Sequence, residues 1–248
     1  MVSRFVNWPK SRVRAFGIGV LAALTATILA TQVIWAAPAV AQSPGYERDH
    51  GNWKYRVGQT NGGLFEAQVW YDQSSVGALK SFAAANQAIA AQIKGSDTPI
   101  DIAVTFRAPL PIDTFRSWAK SAGMKVDAVD IRTTTATGER GTIGIFPHAD
   151  DPLPQAALDG QMASASGKVG KLSIGGVTTV HGSVRSSSVA QLMTDNRVFL
   201  VDVTAAVIRA EFASAGIVAA DQLPAAKLIV ISQPPFWQME ELGLQNFR

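Results

Sequence analysis

Residues 180–203, VHGSVRSSSVAQLMTDNRVFLVDV, constrain the fold of this chain more than any other stretch. The segment opens in a small-residue strand, expected over 177–184. Ser186 to Ser188 then offer hydroxyl oxygens to the unpaired first amides of a helix expected over 187–194. Val189, Leu192 and Met193 give that helix one apolar face, and Asp195-Asn196-Arg197 turns the chain into the run VFLVDV. A strand that apolar, expected over 197–203, belongs in the middle of a sheet with both faces covered.

The same succession occurs upstream. In PIDIAVTF (99–106), Ile100, Ile102, Val104 and Phe106 alternate with Asp101, Ala103 and Thr105, the pattern of a half-buried strand. Pro111 and Asp113 suit the first turn of a helix over 111–123, with Phe115, Trp118, Ala119 and Ala122 as its stripe and Gly123 as its cap. KVDAVDIRTTT and GTIGIF flank ATGER as a hairpin. Strand-helix-strand twice over is the plan of an α+β, ferredoxin-like (βαββαβ) core, expected over 98–204. The Pro-, Gly- and Ser-rich residues 147–176 read as an insertion in it, with a helix around 153–164.

Before the core, 42–52 read as a polar linker. A hairpin follows over 53–73, alternating on both sides of Asn61-Gly62-Gly63. Leu79, Phe82, Ala83, Asn86, Ile89, Ala90 and Ile93 recur at helical spacing, so 42–97 form linker, hairpin and helix. After the core, 205–248 form an extension with a helix over 205–216 and a strand over 227–232.

Residues 177–204 resemble the inhibitory propeptides of subtilisin-type proteases. In that family a small-residue strand leads into a short helix, an Asp-x-x-Val turn follows, and an apolar strand carries an acidic residue. Asp195, Val198 and Asp202 stand in those places. The resemblance implies a ferredoxin-like fold and action as a protease inhibitor or folding aid, with the C-terminal extension laid along the protease cleft.

Export is expected from the N-terminus. Arg4, Lys10, Arg12 and Arg14 precede an uncharged run that ends in Ala39-Val40-Ala41, so residues 1–41 read as a cleaved signal peptide. The competing reading is an uncleaved anchor through 15–37, which is long enough to span a bilayer. Residues 1–41 hold four basic and no acidic side chains, so the remainder carries 18 basic against 19 acidic. A basic net charge is thus confined to the leader, and a nucleic-acid partner is not expected. The chain has no cysteine, so its core alone must hold it.

No catalytic, cofactor or metal site is expected. Ser117-x-x-Lys120 has the spacing of a serine-lysine pair, and Thr194-Asp195-Asn196 and Lys168-Val169-Gly170 resemble its companion motifs, but their order is reversed. His148, Asp150 and Asp151 form a solvated acidic loop more readily than a cation site. Ser183 follows Gly182 without the second glycine of a nucleophile elbow. The residues singled out for partner binding are aromatic: Trp53, Tyr55 and Trp70, beside Tyr71, and Phe236 and Trp237 after a Pro-Pro pair. Packing within the hairpin and the C-terminus is the plainer use of these rings. The expected function is an exported, non-enzymatic protein-binding domain, with a subtilisin-type protease as its partner. The alternative is a structural or sensory ectodomain tethered through 15–37.

Overall fold

Two sheets share a common middle layer. The computed structural model describes residues 46–59, 64–93, 98–147, 150–215, 228–232 and 234–244. Residues 1–41, expected as a signal peptide, and Asn61-Gly62-Gly63, expected as the hairpin break, lie outside them. The first sheet has the order β1-β2-β3-β9, built from β1 (Tyr46–Asp49), β2 (Trp53–Gln59), β3 (Phe65–Tyr71) and β9 (Ile229–Ile231). The hairpin β2–β3 pairs Trp53 with Tyr71 and Tyr55 with Val69, so its large rings fall on one face. The expected linker contains strand β1. It reads YERD because an edge strand needs little apolar pattern, and its Glu47 holds Arg56 of β2 at 2.8 Å.

The second sheet is antiparallel throughout, with the order β6-β5-β7-β4-β8. Its strands are β4 (Pro99–Leu110), β5 (Lys125–Thr135), β6 (Arg140–Ile145), β7 (Leu172–Arg185) and β8 (Val198–Asp202). Helix α1 (Val76–Ala90) precedes it, α2 (Ile112–Ser121) joins β4 to β5, α3 (Gln155–Val169) joins β6 to β7, and α4 (Val189–Thr194) joins β7 to β8. Helices α5 (Thr204–Ser214) and α6 (Phe236–Glu241) follow β8 and β9. Since β7 runs antiparallel to both β4 and β5, those two strands are parallel with β7 between them. The expected insertion is more regular than its composition suggests: α3 extends to Val169, and β7 already begins at Leu172. Only Leu158 of α3 is buried, so the helix is a surface layer built from small residues. Helix α6 was not marked by the sequence pattern.

One face of the large sheet presents Ile102, Val104, Phe106, Val129, Ile131, Val180 and Val201 to Phe115 and Trp118 of α2, Leu158 of α3, and Val189 and Leu192 of α4. The opposite face meets helices α1 and α5, which pack in turn on the small sheet. There Leu200 joins Tyr55, Val57, Phe82, Ile208 and Phe212 in a second core. Adjacent residues Leu200 and Val201 thus serve different cores. Asn86 of α1 is fully buried and accepts the Val203 amide at 3.0 Å, which fixes α1 to the end of β8. Helix α5 is tied to the small sheet by Glu211, which accepts the Tyr55 hydroxyl at 2.6 Å and lies 3.3 Å from His50.

The turn Asp195-Asn196-Arg197 owes its shape to one carboxylate. Asp195 accepts the Arg197 amide and guanidinium and, at 2.9 Å, the Trp118 indole N–H of α2. The Asp-x-x-Val signature of 195–198 is therefore a lock between the turn and α2.

Candidate functional site

The second face of the large sheet contains a polar cavity of about 170 Å³, between β4, β7, β8, α5 and β9. Its position follows from strand register. Ala103 of β4 stands opposite both His181 of β7 and Asp202 of β8, so the three share a face, and the small central methyl leaves space between the polar neighbours. A bulge adds a carboxylate. Val126 pairs with Gly182 and Ala128 with His181, so Asp127 is the extra residue of β5 and is turned toward the cavity. Gly182 permits this approach, because a Cβ there would overlap the Lys125 carbonyl oxygen.

Asp202 is 6% exposed and forms the floor. Its Oδ1 accepts the Thr204 amide at 2.8 Å and hydroxyl at 2.6 Å, which closes the first turn of α5. Its Oδ2 receives the Ser232 hydroxyl at 3.4 Å. Burial raises this carboxyl above its ordinary range, against the Thr204 bonds and the nearby His181 charge, which lower it. For His181 the balance is reversed. Burial alone would lower the imidazole, but Asp130, 3.8 Å away, together with Asp202 and Asp127, raises it. Asp127 is raised first by desolvation and further by Asp101. Arg209 of α5 lies across the mouth and pairs with Asp101 at 2.7 Å.

This arrangement suits holding a cation better than activating a nucleophile. Ser232 donates to Asp202, and His181 faces Asp130, so hydroxyl and imidazole are not joined as a nucleophile and base require. Among the described residues no group of three His, Cys, Asp or Glu side chains is arranged to hold a metal ion.

The aromatic residues singled out from sequence have different surroundings. Trp53 and Tyr55 are buried in the second core, and His50 stacks on Trp53 with ring centroids 4.1 Å apart. Phe236 is buried, while the half-buried Trp237 stacks 3.9 Å from the Arg132 guanidinium. Trp70 is exposed and Tyr71 packs flat on Phe82 at 3.8 Å. The structure does not bring the two groups of rings into one surface. Ser117 and Lys120 are exposed on the outer face of α2, and Ser117 bonds back to the Asp113 carbonyl. Asp151 accepts the Leu153 amide within its turn, and His148 lies outside the described residues. Ser183 lies within β7, paired with Asp101.

The cavity residues Asp101, Asp127, Asp202, Thr204, Arg209 and Ser232 were not assembled from sequence. One signal was available: the buried valines Val126 and Val129 are three apart, out of phase with strand alternation, which marks a bulge near Asp127. Nothing local links β8 to Ser232.

Among the described residues no helix is long and apolar enough to cross a membrane. Compared with known proteins, the chain matches no family model, no curated sequence and no solved structure.

Proposed function

We propose that this chain is an exported, non-catalytic protein-binding domain on a ferredoxin-like core, and that the cavity between its sheets receives a basic side chain of the partner. The ferredoxin-like reading is supported by the doubled strand-helix-strand units β4–α2–β5 and β7–α4–β8. Strand β7 lies between the first pair and β8 flanks β4, leaving β6 and α3 as additions at one edge. Export rests on the basic, apolar and small-residue order of residues 1–41.

The observation that carries the binding reading is the charge of the cavity. Asp101, Asp127 and Asp202 converge on about 170 Å³, with Asp130 behind His181 and Arg209 as the resident cation. That volume is small for a free metabolite, which needs roughly 300 Å³ or more, but accommodates the end of one lysine or arginine side chain. Arg209 on Asp101 already exemplifies the contact. Propeptide-like inhibition would use the segment after Thr204 differently. Here that segment is α5, held by Tyr55 and His50 rather than extended toward a cleft.

The test is an NMR titration with short lysine-, arginine-, norleucine- and glutamate-containing peptides, following the His181 ring and the Asp127 amide. Basic peptides are expected to shift both, and more weakly as His181 gains its proton and adds positive charge. Equal shifts from norleucine peptides, or none at millimolar basic peptide, would remove the reading. A panel of subtilisin-type proteases assayed with the same protein addresses the protease as partner; cleavage without inhibition would dismiss it.

A further inference from the structure

A second, larger depression of about 470 Å³ lies between the β1–β2 turn and the start of α1. It shares no lining residue with the acidic cavity and falls within the size range of sites for small molecules. Trp70 borders it with 42% of its surface exposed, the one exposed tryptophan among the described residues. Lys54 stands opposite Trp70 across the strands, and its side chain makes no hydrogen bond or ion pair among the described residues.

The polar rim is held in place by its own turns. Asp49 accepts the Gly51 amide at 2.6 Å, and Asp72 accepts the Ser74 amide at 2.8 Å. Asn52 receives the Ser81 hydroxyl of α1 on its Oδ1 at 3.2 Å, which leaves its NH2 group to donate. Trp53 and Tyr71 back the depression from the core.

We propose that this depression binds a neutral sugar ring, and that Trp70 is its platform. An indole face matches the C–H face of a pyranose. Carboxylates, a primary amide and an ammonium around it match the vicinal hydroxyls, each of which both donates and accepts. The charges argue against an ionic ligand: Lys54 opposes a cation on Trp70, and Asp49 and Asp72 oppose an anion. The open shape excludes a wholly apolar molecule, since no closed apolar wall surrounds it. This inference does not rest on the acidic cavity, and the two fail independently.

The experiment is a titration of the purified protein with glucose, galactose, N-acetylglucosamine and β-1,4-linked dimers of glucose and N-acetylglucosamine, read by tryptophan fluorescence and calorimetry. Choline and inorganic phosphate serve as ionic comparisons. At least one sugar is expected to bind saturably, with the affinity reduced roughly tenfold or more in Trp70→Ala and largely kept in Trp70→Phe. Far-UV circular dichroism of both variants checks that β3 remains paired. Three results would overturn the proposal: no sugar binding at millimolar concentration, sugar binding unchanged in folded Trp70→Ala, or choline or phosphate binding in preference to every sugar.

Discussion

Replacing Glu240 by alanine leaves the Arg132 guanidinium without its buried counter-charge, and the structure bounds the cost. The two side chains are 4% and 5% exposed, and Arg132 Nη2 donates to Glu240 Oε2. Arg140 also reaches Glu240 but is 54% exposed. Burial, and next the Arg140 charge, lower the Arg132 pKa to about 10, which still leaves it charged at neutral pH. Its Nη1 has no hydrogen-bond partner, so apart from the Trp237 ring stacked on the guanidinium Glu240 carries the compensation. Breaking such a pair from one side costs about 3–5 kcal/mol. The loss has a ceiling, because α6 can undock and let water reach Arg132. Undocking forfeits chiefly the burial of Phe236 and Met239, about 1.5–3 kcal/mol each. The expected loss for Glu240→Ala is therefore about 3 kcal/mol. With a urea m-value of about 2 kcal/mol/M, this lowers the midpoint by ~1.5 M. Arg140→Ala should cost about 1 kcal/mol or less, being an exposed partner. Urea unfolding followed by fluorescence, with hydrogen exchange across 236–241, separates global loss from undocking. Glu240→Ala within about 0.5 kcal/mol of the parent, with 236–241 still protected, would refute the reasoning. So would an equal cost for Arg140→Ala.

Two further predictions concern the turn lock and the bulge. The Arg197 hydrogen bond, against a smaller burial penalty, and the Trp118 indole hold Asp195 down at about 2, below its ordinary 3.8. That stabilisation, about 1–2 kcal/mol, is present above pH 4 and lost as pH falls toward 2. Acid-unfolding curves of Asp195→Asn should therefore converge with those of the parent at the acid end and lie below them at neutral pH; parallel curves would contradict the lock. Gly182→Ala should cost more than about 2 kcal/mol by forcing β5 away at the Asp127 bulge. Gly167→Ala, in α3 with open space around it, should stabilise by about 0.5–1 kcal/mol. Thermal unfolding of the pair tests this, and equal effects would show that close packing at Gly182 is not the cause.

The parts of the fold that were legible in sequence are those whose burial is one-sided and local. Ile102, Val104 and Phe106 alternate because one face of β4 meets α2 and α4, and Phe115 and Trp118 recur at helical spacing for the reciprocal reason. Strand β1 and the last turn of helix α3, whose helix was expected around 153–164, were obscured because they bury little: charged side chains pair on β1, and α3 offers mostly alanine, serine and glycine. Helix α6 depends on long-range contacts to Arg132 and Arg140, which no neighbouring residue announces. The aromatic residues were visible as a class, but sequence could not separate the exposed Trp70 from the buried Trp53 and Tyr55. Alternation assigns residues to faces, whereas the covering layer decides which face stays open. The acidic cavity was harder still, since its members come from six elements and one enters through a bulge.

The Glu211 contact to His50 and Tyr55 has a temporal consequence. His50 and Glu211 are 161 residues apart in the chain, and β9 must likewise return to pair with β3. During synthesis from the N-terminus, Trp53, Tyr55 and Val57 are made long before Ile208, Phe212 and Leu228 exist to cover them. The first sheet is therefore the last to be finished. Until α5 arrives, the nascent chain presents a row of uncovered aromatic residues, the kind of surface on which chaperones act. Closure across so long a loop also predicts slow folding, with its late step at the chain's own beginning.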